Sequence, residues 1–178
     1  GLRDAVARRL IHETAVANAE FAMLNALPGM VPVLGFVLPT AMVGDMILLA
    51  KNQAMMLYRL AACFGMDLDP RARAGDVMPL AGNAFGWRAV AREIVGIVPG
   101  GVGVVSRGAI AYAGTVALGE AMHRYYALGE RPTRYVLSAL YRESIAEARE
   151  VASGMLKRLR STRKPRKLLR GKESADGA

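Results

Sequence analysis

The chain predicts an all-α fold: a compact helical domain of about five helices with a glycine- and alanine-rich central helix and a disordered basic C-terminal tail. Three observations carry that expectation. Apolar residues recur near the helical period between Leu2 and Leu27, and again between Val136 and Leu159. The stretch from Ile94 to Tyr126 is dense in glycine and alanine, and Arg107 is the only charge between Ile94 and Leu118. Proline and glycine stand between these segments, where helices start and stop. With 53% apolar but only 6% aromatic residues, the core must be built from Ala, Val, Leu, Ile and Met. The 178 residues suit one domain, read here as residues 1–160 with a tail over 161–178.

Leu2 to Leu27 is expected to bury Leu2, Val6, Leu10, Ala17, Phe21 and Leu24, with Arg9 and Glu13 paired four residues apart on the surface. Pro28-Gly29 ends this helix, and Pro32, Gly35 and Pro39 keep the next segment irregular. A second helix follows from about Pro39 to Phe64. Its apolar positions, from Met42 and Val43 to Leu60 and Ala61, are dense enough to predict burial on most sides, and Gly65 is its stop. Asp69 can cap a new start with Pro70 at the first helical position. Short helical pieces are expected from Pro70 to Gly86, then a helix from Trp87 to Val95.

Pro99-Gly100-Gly101 turns the chain into the glycine-rich helix, about Val102 to Leu128, which Gly129 ends. Its glycines leave helix surface without side chains, so another backbone can come close. Each glycine costs about 0.5–1 kcal/mol relative to alanine, which close packing offsets. Pro132 opens the last helix, with Val136, Leu140, Ile145, Ala148, Val151, Met155 and Leu159 on its buried stripe and Pro165 as its latest stop.

The formal charge is +9, and it sits at one end. From Leu156 onward, Lys157, Arg158, Arg160, Arg163, Lys164, Arg166, Lys167, Arg170 and Lys172 face only Glu173 and Asp176, so the tail holds seven of the nine net charges. This tail suits an anionic surface, where each Lys or Arg contributes about 1 kcal/mol. It lacks the aromatic platforms of single-strand binding, so nucleic acid is the weaker partner.

Little in the chain points to chemistry. Cys63 is the only cysteine, which excludes an intrachain disulfide, and no Cys/His cluster suggests a metal. The segment Val98 to Gly108 is glycine-rich but lacks the lysine of a phosphate-binding loop. No catalytic residue, cofactor or metal ligand is assigned. His12 is read as a surface or core residue, and Glu120, His123 and Arg124 as a solvated face. Asp45 and Arg107, the lone charges of the two most apolar runs, form a candidate buried pair. Leu27 to Ala50 and Ile94 to Leu118 are long enough to cross ~30 Å of hydrocarbon, but their prolines and charges favour core helices, with a membrane hairpin as the alternative.

The run Asp45-Met46-Ile47-Leu48-Leu49, then Gln53 to Leu60 and Ala62-Cys63-Phe64-Gly65-Met66-Asp67, resembles one signature of a bacterial family. Ile97-Val98-Pro99-Gly100-Gly101-Val102-Gly103, then Ala113-Gly114-Thr115-Val116-Ala117-Leu118-Gly119 to Tyr126, resembles its second. The family is the helical domain typified by the YcjF inner-membrane protein, often found beside or fused to Era-like GTPases. The resemblance implies a helical module that partners a GTPase at or near the inner membrane. It implies no catalytic residues, because the family has no established activity. The expected function is therefore a non-enzymatic interaction module. An integral membrane hairpin and nucleic-acid contact through the tail stand as alternatives.

Overall fold

The computed structural model describes residues 1–26, 38–69, 71 and 103–162, and only the backbone of residues 38–47 and 162. These residues are all-α: four helices, and no strand among them. They are α1 (Leu2–Leu24), α2 (Leu38–Cys63), α3 (Val104–Leu128) and α4 (Arg134–Thr162). The expected pieces between residues 72 and 86, the helix from Trp87 to Val95 and the tail beyond Thr162 lie outside the described residues.

Glycine ends two of these helices. Gly65 has φ +69°; its N–H donates to the Ala62 carbonyl and that of Met66 to the Ala61 carbonyl. This pair of reversed bonds is the Schellman arrangement, which satisfies the last carbonyls of α2. Gly129 has φ +75° and returns a single bond to the Tyr125 carbonyl, which closes α3. The start of α4 differs from expectation: Arg134, not Pro132, opens it, and the Thr133 hydroxyl caps it by accepting the Val136 N–H at 3.3 Å.

The central helix is α3. It packs extensively against α1 on one side and α4 on the other, while α1 and α4 barely touch. The directions follow from side-chain pairs. Ile11 meets Gly119 and Met23 meets Gly108, so α1 and α3 are antiparallel. Tyr112 bonds Glu147 and Gly108 lies by Ala152, so α3 and α4 are antiparallel too. Thus α1 and α4 run in the same sense. α2 lies mainly on α1, and the ring of Phe64, the residue after its last, stands 5.4 Å from the His123 ring of α3.

The buried face of α1 corrects the sequence reading. Leu2 is 83% exposed and Val6 42%, and Ala17 is exposed as well. The buried line is Ala7, Ile11, Ala15, Asn18, Ala19 and Met23. The cause is the approach to α3: a close helix contact selects small side chains and displaces bulky ones to its margins. α2 is also less enclosed than expected, since Met56, Leu57, Leu60 and Ala61 are buried while Leu48 and Met55 are exposed. On α4 the buried stripe is Leu137, Leu140, Tyr141, Ser144, Ala148 and Ala152. Val136, Ile145, Val151, Met155 and Leu159 are half-buried at its edges.

Candidate functional site

Two glycines of α3 have the close approach that the sequence implies. A Cβ on Gly119 would lie 2.7 Å from Cγ1 and 2.9 Å from Cγ2 of Ile11. A Cβ on Gly108 would lie 2.5 Å from Cγ and 2.6 Å from Sδ of Met23, and 3.3 Å from Cβ of Ala152. α1 thus seats its two largest buried side chains on bare backbone.

Polar relays cross these contacts at three levels. In the middle, Asn52 of α2 donates to Asn18 of α1 at 2.9 Å, and Asn18 donates to Thr115 Oγ1 of α3 at 3.0 Å. Thr115 passes its own proton to the Ala111 carbonyl at 2.8 Å. Asn18 and Thr115 are fully buried, and their mutual satisfaction removes the cost of burying them.

The second relay joins α1, α3 and α4. The Tyr112 hydroxyl donates to Glu147 Oε1 at 2.8 Å and lies 3.0 Å from His12 Nδ1. Having given away its one proton, the hydroxyl accepts from His12, which places the imidazole proton on Nδ1 and leaves Nε2 as the other ring position. Burial first, then the Glu147 carboxylate, pushes the Tyr112 phenol well above its ordinary range. His12 is therefore not isolated; its ring stacks edge-on against Tyr112.

The third relay corrects the reading of Glu120, His123 and Arg124 as a solvated face. His123 is buried; only Arg124 of the three is fully exposed. His123 Nε2 donates to Asp4 Oδ1 at 3.1 Å, and its Nδ1 stands 3.7 Å from Glu120. The Gly1 amino group, then the His123 ring, hold the Asp4 carboxyl below the usual carboxylate range. The tilted Phe64 ring covers the imidazole from α2.

Because α1 and α4 flank α3 without closing on each other, they leave a surface groove of about 690 Å³. Val16 and Leu24 of α1 and Val151, Met155 and Leu159 of α4 give it an apolar floor. His12, Glu20, Glu150 and Arg158 bring polar groups to it. Gly154 also lines it, and a Cβ there would meet nothing within 4 Å among the described residues. Unlike Gly108 and Gly119, this glycine serves no contact among the described residues, although it costs the helix about 0.5–1 kcal/mol. No group of three or more His, Cys, Asp or Glu that could hold a metal occurs among the described residues.

The other residues singled out in the sequence are dispersed. Arg107 is exposed on α3, and the Asp45 side chain, on which the candidate pair depends, lies outside the described residues. Lys157, Arg158 and Arg160 are exposed on the last turns of α4; Arg163, Lys164, Arg166, Lys167, Arg170 and Lys172 lie outside the described residues. No described helix is long and apolar enough to cross a membrane. Sequence reading places Glu20, Glu147 and Glu150 on the polar faces of their helices, where they are exposed, and gives Tyr112 and Gly154 no role. The available signal was Gly154 itself, a glycine inside a strongly helical run. Comparison with protein-family models, with curated proteins and with solved structures gives no match.

Proposed function

We propose that this chain is a non-enzymatic helical interaction module that works with an Era-like GTPase, fused or separate, on the cytoplasmic face of a bacterial inner membrane. The observation that carries the interaction reading is the α1–α4 groove, an apolar floor that the described residues leave open between two helices both firmly seated on α3. A preformed apolar groove of this kind is a common way to receive a partner helix. The GTPase is supplied by the resemblance of the two signatures described above. Membrane contact is supported by the exposed Lys157, Arg158 and Arg160 at the end of α4 and by the cations that follow them in sequence.

The test has two arms. The purified chain is mixed with an Era-like GTPase, loaded with GDP or with a non-hydrolysable GTP analogue, and run on a sizing column. Co-elution that differs between the two nucleotides is expected; none with either would overturn the partnership. In fractionated cells the protein is expected in the membrane pellet and in the supernatant after high salt or alkali. Release only by detergent would replace the surface reading with the hairpin alternative. Retention on DNA that vanishes when Lys157 to Lys172 is deleted would replace it with nucleic-acid contact.

A further inference from the structure

We propose that the α1–α4 groove docks one amphipathic helix of the protein partner, cationic along its flanks and carrying a small residue where it crosses Gly154. The inference deepens the interaction-module reading and rests on it. Three features of the groove define the occupant.

The first is Gly154. It is the point on the α4 wall where a backbone can come closest, because no side chain stands there and no other part of the described fold has moved in to use the space. A partner helix with glycine or alanine at its crossing point would meet α4 there much as α1 meets α3 at Gly108 and Gly119. The second is charge. Glu20 on the α1 side and Glu150 on the α4 side border the apolar floor, and neither has a salt bridge or side-chain hydrogen bond among the described residues. Neither has a cation one helical turn on: Leu24 follows Glu20 by four residues and Gly154 follows Glu150. Arg9 and Glu13, by contrast, satisfy each other at 2.7 Å. Two uncompensated carboxylates flanking apolar surface match lysine or arginine on the edges of an incoming helix, while Arg158 lies toward the other end. The third is shape. From His12 to Leu24 the α1 wall runs about 18 Å at the helical rise, room for three to four turns of a helix. Met155 on the floor can adjust to the side chains it receives.

The probe is a fluorescein-labelled helical peptide of about five turns. It is built from leucine, alanine and lysine, with one glycine central in its apolar face and the lysines along both flanks. A second peptide carries glutamate in place of every lysine. Fluorescence anisotropy with the full chain is expected to show saturable binding of the lysine peptide, weaker at high salt, and at least tenfold weaker binding of the glutamate peptide. Gly154→Leu fills the floor and is expected to weaken the lysine peptide tenfold or more. Its helical circular dichroism and melting temperature should match or exceed those of the unmodified chain, since nothing among the described residues lies within 4 Å of the added carbon. The double change Glu20→Lys and Glu150→Lys is expected to reverse the peptide preference.

Equal binding of both peptides, or undiminished binding by Gly154→Leu, would overturn the proposal. So would a dimer of the unmodified chain that Gly154→Leu makes monomeric, because the groove would then belong to a second copy. If the GTPase co-elutes equally with the unmodified chain and with Gly154→Leu, the groove assignment falls while the module reading stands.

Discussion

Asn18 shows how one side chain can hold three helices in register. It is fully buried, it donates to Thr115 on α3 and it accepts from Asn52 on α2. Asn18→Ala removes both bonds and strands a partner on each neighbour. We expect a loss of about 2–3 kcal/mol in denaturant unfolding, since a buried polar group left alone costs about 1–3 kcal/mol. Asn52→Ala, at the half-buried end, should cost less. Tyr141 gives a second prediction at this scale. Burial pushes its phenol up to about 12, against a smaller opposing pull from Arg149. A raised folded value means that the neutral phenol is favoured in the native state. Its contribution is therefore complete below pH 10, near the ordinary tyrosine value, and is lost as pH rises from there through 12. Burial raises Tyr112 in the same direction and adds to the slope. Unfolding free energy should fall over this alkaline range, and more gently in Tyr141→Phe; parallel slopes in the two proteins would contradict the assignment.

Between elements, the decisive feature is which glycines are occupied. Gly119 faces Ile11, whose β-branched side chain is stiff at χ1 and fully enclosed. Gly119→Ala should therefore destabilise by about 1–3 kcal/mol despite the better helix propensity of alanine. In an Ile11→Ala background the same change should be close to neutral. The double-mutant cycle of unfolding energies measures that coupling. Gly108→Ala should cost less, because flexible Met23 can turn away more readily than Ile11. This logic also explains what the sequence disclosed. The positions of α2 and α3 were legible within a few residues, because Gly65 and Gly129 stop them where only glycine is comfortable. The tight contact of α3 was legible in its bare surface. The buried face of α1 was not. Hydrophobic periodicity weights large residues such as Leu2 and Val6, whereas the contact with α3 selected Ala7, Ala15 and Ala19. His123 was hidden for a different reason: its partner Asp4 stands 119 residues away, and no local spacing announces that pairing. The groove was equally invisible, since it arises from two helices that pack on a third but barely touch each other.

For the molecule as a whole, this arrangement sets a gradient of stability. α3 contributes Ala109, Tyr112, Ala113, Ala117, Ala121 and Met122 to the core and takes part in all three polar relays, so it cannot open without losing its contacts with both α1 and α4. α2 touches the bundle through a narrower face and leaves Leu48 and Met55 exposed. Backbone amides exchange either through local opening or only through global unfolding, depending on how many tertiary contacts must break. Amides from Ala113 to Met122 should therefore exchange slowest in native-state hydrogen exchange, at the free energy of global unfolding. Those around Leu48 to Ala50 should exchange at a lower free energy that depends little on denaturant. The test of the architecture is what a core change does to each group. Gly119→Ala should lower protection across α3, α1 and α4 by one common amount, because they unfold together, and leave the local opening of α2 nearly unchanged. If α1 lost protection alone, α3 would not be the shared centre on which the groove walls depend.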